Sequence, residues 1–461
     1  MSEQGLAKAQ QKMREAGVAE PAIEVFSHYY GQLETGASGL ILEETIEPML
    51  EVPMLADIEI TDEEAAAALD RTVLIKLNGG LATSMGLDKA KTLLEVRDGK
   101  TFLDLIVGQV MAARQAHDAR LPLILMNSFR TRDDALAALA AHPDLPVEGL
   151  PLDFLQNQEP KLDAATLEPI SWPDDPSLEW CPPGHGDLYT ALEASGLLDQ
   201  LLDAGFQYAS VSNGDNLGAA PDPRIAGWFA ASGAPYAAEV CRRTVNDRKG
   251  GHLAIRKRDG QLILRDTAQT APDEMDYFTD EHRHPFFHTN NLWFDLQALR
   301  DTLAERDSVL GLPLIKNEKT VDPADKTSPK VIQVESAMGA AIEVFEGATA
   351  ICVDRSRFLP VKTTNELLLV RSDCYRTDEL GRLTAVVDDT PLVDLDGDHY
   401  KVMRDFDARI PVAPSLARAT ALRVKGDVTF EPDVTVVGDV TITADQPRTI
   451  ARGTTVDESW Q

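Results

Sequence analysis

The spacing of apolar and polar positions changes character along the chain. Residues 3–35 carry apolar side chains at helical spacing and predict two helices, with Pro21 near the start of the second, where its fixed φ suits a first turn. An acidic, less regular stretch follows, through Ile46-Glu47-Pro48 to Glu64. From Arg71 onward, short runs rich in β-branched residues alternate with helical patterns. The runs are residues 73–77, 121–126, 151–155 and 208–212, and helices are expected over 102–116, 132–141 and 188–204. Strand, helix, strand at this spacing predicts an α/β fold with a parallel sheet covered on both faces.

Beyond Pro235 the strands come closer together. Residues 252–256 and 261–264 flank Arg258-Asp259-Gly260, a hairpin signal that predicts antiparallel additions to the sheet. Helical spacing returns over 296–304, 337–345 and 364–372. The tail differs again: Val424, Val428, Val434 and Val440 recur at intervals of four to six, with Gly426 and Gly438 at turns. That spacing suits the coils of a small β-helix, with a β-meander as the alternative. The expected domains are a helical segment over 1–55, a catalytic domain over 56–376 and a β-rich domain over 377–461.

Composition narrows the function. The chain of 461 residues is 43% hydrophobic and 26% charged, ordinary for a globular protein. No run of about 18 uncharged apolar residues is present, and the polar start MSEQGLAKAQQKMREAG lacks a secretory core. No membrane partner is expected, and the cytoplasm is the expected compartment. Lys plus Arg number 44 against 75 Asp plus Glu, for a net charge of −31. So acidic a surface repels phosphate backbones, which argues against nucleic acid as a partner. The four cysteines, Cys181, Cys241, Cys352 and Cys374, form no C-x-x-C pair and are expected to be buried, reduced thiols. His284 and His288 stand four apart, but Pro285 between them argues against a helix carrying two metal ligands.

Three segments carry the candidate chemistry. The first is Leu77-Asn78-Gly79-Gly80-Leu81-Ala82-Thr83-Ser84-Met85-Gly86, directly after a strand. Ligands gather at the carboxyl ends of parallel strands, and glycines let backbone N–H groups approach a phosphate. Its spacing matches neither G-x-G-x-x-G nor G-x-x-x-x-G-K-[ST], and a plain tight turn is the bland alternative. Lys89 and Lys91 follow, and charge alone does not choose between them. The second is Pro182-Pro183-Gly184-His185-Gly186-Asp187-Leu188-Tyr189. There Asp187 is expected to cap the next helix, and His185 to donate to a phosphate or sugar oxygen. The third is Val211-Ser212-Asn213-Gly214-Asp215-Asn216-Leu217-Gly218. Asp215 at a strand end can hold Mg²⁺, or simply close an Asx-type turn.

In this order the segments resemble the UTP–glucose-1-phosphate uridylyltransferase family of the long-chain eukaryotic type. Met126-Asn127-Ser128-Phe129-Arg130-Thr131, Phe154-Leu155-Gln156-Asn157-Gln158-Glu159-Pro160-Lys161, Thr289-Asn290-Asn291-Leu292-Trp293 and Arg357-Phe358-Leu359-Pro360-Val361-Lys362 look like further family signatures, over about residues 37–376. The resemblance implies a Rossmann-like, GT-A-like mixed sheet and a left-handed β-helix-like C-terminal domain. It implies that UTP and glucose 1-phosphate become UDP-glucose and pyrophosphate, with Mg²⁺ as cofactor.

Residue by residue, it implies that Leu77, Asn78, Gly79 and Gly80 surround the uridine and phosphates, with Lys91, rather than Lys89, on the transferring phosphate. Gln156 would read the uracil edge with Gly184 against the base. Asp215 would ligate Mg²⁺ beside Asn213, and Lys362 would be a second lysine facing the phosphates. His185 would contact glucose 1-phosphate, and Gly251, Asn290 and Glu335 the sugar hydroxyls. Ala82 stands where the family usually has glycine, His288 where asparagine is common and Ser336 where threonine is usual. The alternatives are a transferase for N-acetylglucosamine 1-phosphate or galactose 1-phosphate, and a non-catalytic nucleotide-sugar sensor. Exposed β-coil ends in the tail are a candidate surface for homo-oligomers.

Overall fold

The computed structural model describes residues 2–36, 39–244, 247 and 250–459, with backbone alone at residues 2, 3 and 84. Helices α1 (Ser2–Glu15) and α2 (Glu20–Glu34, Pro21 in its first turn) form the expected N-terminal pair. Ala9, Met13, Ile23, Phe26 and Tyr30 pack on Leu162, Ile332 and Val334.

The centre is a seven-stranded sheet. Its strands are β1 (Thr72–Asn78), β2 (Leu123–Asn127), β3 (Asp153–Leu155), β4 (Tyr208–Asn213), β5 (Tyr236–Arg242), β6 (Phe286–Asp295) and β7 (Thr349–Cys352). In space they run β7-β5-β6-β4-β1-β2-β3. Strands β4, β1, β2 and β3 are mutually parallel, as are β5 and β7, while β6 is antiparallel to both its neighbours. Chain order reverses between β1 and β4. This is the topological switch point at which open α/β sheets bind ligands.

The period of two along each strand sorts its side chains between two cores. Leu74, Leu125 and Trp293 join the cluster around the helix Phe102–His117, with Phe102 and Ile106. That helix begins at a Thr101/Asp104 capping box and ends on Asp118 in the left-handed region. Val73, Ile75, Val211 and Leu292 face the other way, onto Leu188, Leu192 and Leu201. The helix expected over 188–204 is two, Leu188–Ala194 and Leu197–Asp203, because Gly196 takes φ +71° between them. Residues 337–345 hold a 3₁₀ segment, Met338–Glu343, in place of an α-helix.

The hairpin forms as expected from His252–Arg256 and Leu262–Arg265, but it pairs with Ile46–Pro48 in a sheet of its own. The antiparallel addition to the main sheet is β6. In the tail, Leu392–Leu395, Ser415–Phe430, Thr435–Ile450 and Thr455–Val456 pair in succession, every pair parallel. A meander would be antiparallel, so the tail is a β-helix-like stack of coils. Its Leu416, Leu422, Val424 and Phe430 extend the same core as Leu74. Asp373 accepts from the backbone N–H groups of Leu416 and Ala417 and ties the stack to the sheet side. Among the described residues no helix is long and apolar enough to cross a membrane.

Candidate active site

Two adjoining cavities open at the carboxyl ends of β1 and β4. The first, of ≈ 290 Å³, is lined by Leu77, Asn78, Gly79, Gly80, Lys91, Gln156, Gly184 and Asp215 among others. The second, of ≈ 340 Å³, holds Gly251, Asn290 and Lys362. His185 and Asn213 line both.

The loop after β1 folds back on itself. Ala82 N–H donates to the Lys89 carbonyl at 3.1 Å and Lys91 N–H to the Gly80 carbonyl at 3.2 Å. This return turns Lys91 inward and leaves Lys89 exposed. The Lys91 ammonium donates to Oδ2 of Asp215 at 2.7 Å, and both side chains are about four-fifths buried, at 19% and 18% exposure. Asn78 donates to Oδ1 of Asn127 at 2.7 Å and accepts from Thr92, which fixes the strand end. Ala82 sits at φ −82°, an ordinary right-handed value, with its methyl in the core at 1% exposure. Its extra methyl neither strains the loop nor enters the cavity.

Close approach explains the glycines. A Cβ on Gly79 would lie 2.6 Å from Oε1 of Gln156. Gly184 has φ +79°, and its Cβ would meet the Ser336 carbonyl at 2.6 Å. Asp187 does not cap the following helix. Its carboxylate turns instead to Asn157, accepting from its N–H at 2.6 Å and from its Nδ2 at 2.8 Å. Asp187 thereby anchors the residue next to Gln156. Burial pushes its carboxyl up to about 7, against the pull of the Asn157 bonds. Nδ1 of His185 accepts from Met338 N–H at 2.9 Å, and burial lowers the pKa of its ring. The neutral ring then carries its proton on Nε2, as a donor.

Lys362 lies on the second cavity and is exposed. Its segment is pinned to the turn after β4: Val361 N–H donates to the Asp215 carbonyl at 3.1 Å, and Leu359 N–H to Oδ1 of Asn216 at 2.8 Å. Below lies a buried network that sequence reasoning missed. Arg357 meets Glu239 with two hydrogen bonds of 2.8 Å, and Trp293 and Asn291 donate to the same carboxylate. Burial alone would raise the Glu239 carboxyl; the Arg357 charge and these donors outweigh it and hold it below its ordinary value. Lys76 is also buried, donating to Ser212 Oγ and the Ala219 carbonyl at 2.7 Å each. Burial, with the Arg357 charge adding to it, brings its pKa down to about 7. A lone lysine in the apolar run Val73-Leu74-Ile75-Lys76-Leu77 was the available signal. Glu335 lines neither cavity. It lies behind Gly184, its carboxylate 3.8 Å from Lys319.

A glycine loop, a lysine–carboxylate pair and a neutral histidine meet at the switch point of a Rossmann-like sheet, where such folds bind phosphate-bearing ligands, and its relatives place the chain among the nucleotidyltransferases. A family model described as UTP–glucose-1-phosphate uridylyltransferase matches residues 23–437, beyond both ends of the resemblance seen in the motifs. The enzyme of that name from Saccharomyces cerevisiae is 39% identical over 374 residues, 80% of this chain and 73% of that one. The one from Hordeum vulgare is 37% identical over 433 residues, covering 92% and 89%. Among solved structures, the UDP-glucose pyrophosphorylase of Leishmania major, determined in open and closed forms, superposes with a TM-score of 0.91 at 42% identity, covering 99% of this chain and 98% of that one. A Trypanosoma brucei structure gives 0.90 at 41% identity, covering 99% of each. The chain belongs to the UTP–glucose-1-phosphate uridylyltransferase family.

Proposed function

We propose that the two cavities hold UTP and glucose 1-phosphate, and that the protein joins them into UDP-glucose with release of pyrophosphate. The carrying observation is the Lys91–Asp215 pair at the switch point, in a glycine-walled cavity that adjoins, at His185 and Asn213, one lined by Asn290, Gly251 and Lys362. The sugar phosphate is already an anion and attacks the UTP α-phosphorus in line, so no general base is needed. The obstacle is repulsion between two anions in a protein of net charge −31. Lys91 lowers it on the nucleotide side and Lys362 on the sugar-phosphate side. His185, on the shared wall, donates from Nε2 to a phosphate or sugar oxygen. Gln156, held by the Asp187–Asn157 clamp, reads the uracil edge. Juxtaposition supplies much of the remaining acceleration.

The residues fit Mg²⁺. Among the described residues no group of three His, Cys, Asp or Glu is arranged to hold a metal. Mg²⁺ characteristically takes one or two carboxylates and completes its shell with water and phosphate. Asp215 would hold it, with Asn213 beside it, and it would screen the phosphate charges.

The test is pyrophosphate release with UTP and a panel of sugar 1-phosphates, with and without Mg²⁺. Release with glucose 1-phosphate, abolished by chelation, is expected. Asp215→Ala should lower kcat by about 10²–10³-fold. Preference for N-acetylglucosamine 1-phosphate or galactose 1-phosphate would overturn the sugar assignment, and a near-normal Asp215→Ala rate the metal assignment.

A further inference from the structure

Strand β6 is interrupted where it passes the second cavity. It pairs regularly with β5 up to Leu292 opposite Ala238 and resumes at His288 opposite Val240, so Thr289, Asn290 and Asn291 stand against Glu239 alone. Such bulges beside active sites re-aim a side chain. Here Thr289 donates to the Glu239 carbonyl at 2.8 Å and Asn291 to its carboxylate at 3.1 Å, which ties both flanks down. Asn290 between them takes φ +63° and lines the cavity, its amide Nδ2 3.5 Å from Oδ1 of Asn213. Asparagine tolerates the left-handed region better than most residues, yet the conformation still carries a cost and must be held by its surroundings.

A bulge also takes a backbone N–H out of the ladder, and that group needs an acceptor. Nδ1 of His288 supplies it, accepting from Asn290 N–H at 3.0 Å. His288 is 8% exposed, and burial brings the pKa of its ring down to about 4, so the ring is neutral and Nδ1 is an acceptor at neutral pH. The other edge of the ring is held by packing alone, its Nε2 buried without a hydrogen-bond partner among the described residues. The ring lies close against Gly339, where a Cβ would come within 2.9 Å of it, and His288 N–H donates to the Gly251 carbonyl at 2.8 Å. One residue therefore joins the two backbone segments, at Gly251 and Asn290, that face the second cavity.

We infer that His288 is a positioning residue for the sugar, its ring nitrogen holding Asn290 in the left-handed turn that presents it to the cavity. The inference rests on the assignment of that cavity to glucose 1-phosphate. A side-chain acceptor bonded to the N–H two residues on is the geometry of an Asx-turn. Asparagine at position 288 places Oδ1 where His288 has Nδ1, whereas leucine fills similar space with no acceptor.

The experiment compares wild type, His288→Leu and His288→Asn in steady-state turnover, with a thermal unfolding scan of each. His288→Leu should raise KM for glucose 1-phosphate about tenfold, as expected for a lost buried hydrogen bond, and leave KM for UTP unchanged. His288→Asn should restore the glucose 1-phosphate KM even if its unfolding midpoint stays as low as that of His288→Leu. Equal KM changes for both substrates, no change in His288→Leu, or His288→Asn as impaired as His288→Leu would each overturn the inference. Wild-type silence with glucose 1-phosphate would instead bring down the cavity assignment, and this inference with it.

Discussion

The two cavities that meet at His185 and Asn213 are built on different plans. The first, proposed for the nucleotide, draws much of its wall from one contiguous stretch, residues 77–92, folded by its own backbone hydrogen bonds and closed by Gln156 against Gly79. The second, proposed for the sugar, is assembled from positions 185, 213, 251, 290 and 362, far apart in sequence. Its neighbours are held by the buried Glu239–Arg357 pair and the asparagines around it. A wall made locally tolerates change elsewhere in the chain. A wall made by long-range polar contacts fails together with the network that holds it.

The strongest way to test that contrast is to cut the network. Arg357→Met leaves the Glu239 carboxylate buried without its counter-ion, which should cost about 3–5 kcal/mol in urea unfolding. KM for glucose 1-phosphate should rise more than KM for UTP. A loss under about 1 kcal/mol, below the cost of an uncompensated buried charge, would show that this pair does not support the sugar wall. The nucleotide side has its own long-range element in Asp187. Above a pH of about 7 its carboxylate accepts both Asn157 bonds; below it, one oxygen carries a proton and faces a donor. KM for UTP should therefore rise as pH falls through about 7, and that limb should vanish in Asp187→Asn. An unchanged acid limb in the variant would assign it to another group, with Lys76 next to be tested. The smallest effect belongs to Ala82→Gly. The residue has right-handed φ and a buried methyl, so glycine should cost about 0.5–1 kcal/mol of stability without altering KM for UTP. A lower UTP KM in that variant would show that the methyl does hinder the nucleotide.

Legibility in the sequence follows the same division. Strands β1, β2 and β4 and the loop after β1 rest on local patterns; the structure has the strands within a residue or two of the expected bounds, and the loop lines a cavity. The break at Gly196 was hidden because an isolated glycine in a helical pattern is usually tolerated. Asp187 looked like a helix cap because capping is a local signal; its real partner, Asn157, is thirty residues away. The hairpin was found and its sheet was not, since nothing at residues 252–265 points to Ile46–Pro48 as the pairing strand. On the sugar side Asn290 and Gly251 were reached only through family resemblance. The bulge and the His288 bond exist only once β5 and β6 lie side by side, and the Glu239–Arg357 pair only once the segment after β7 is brought against β5.

The bulge in β6 has a parity. One residue of β5, Glu239, runs alongside three of β6, Thr289 to Asn291, so the excess of two is even. The alternation of faces therefore survives the interruption: Phe287 and Trp293 point into one core, Phe286, Leu292 and Phe294 into the other. Removing a single residue from 289–291 would exchange the faces of every side chain on one flank of the strand. Removing two would keep the faces in step, but would also take away at least one of the two residues, Thr289 and Asn291, that donate to Glu239. In this strand Asn290 belongs to a two-residue excess that the alternation of faces does not require.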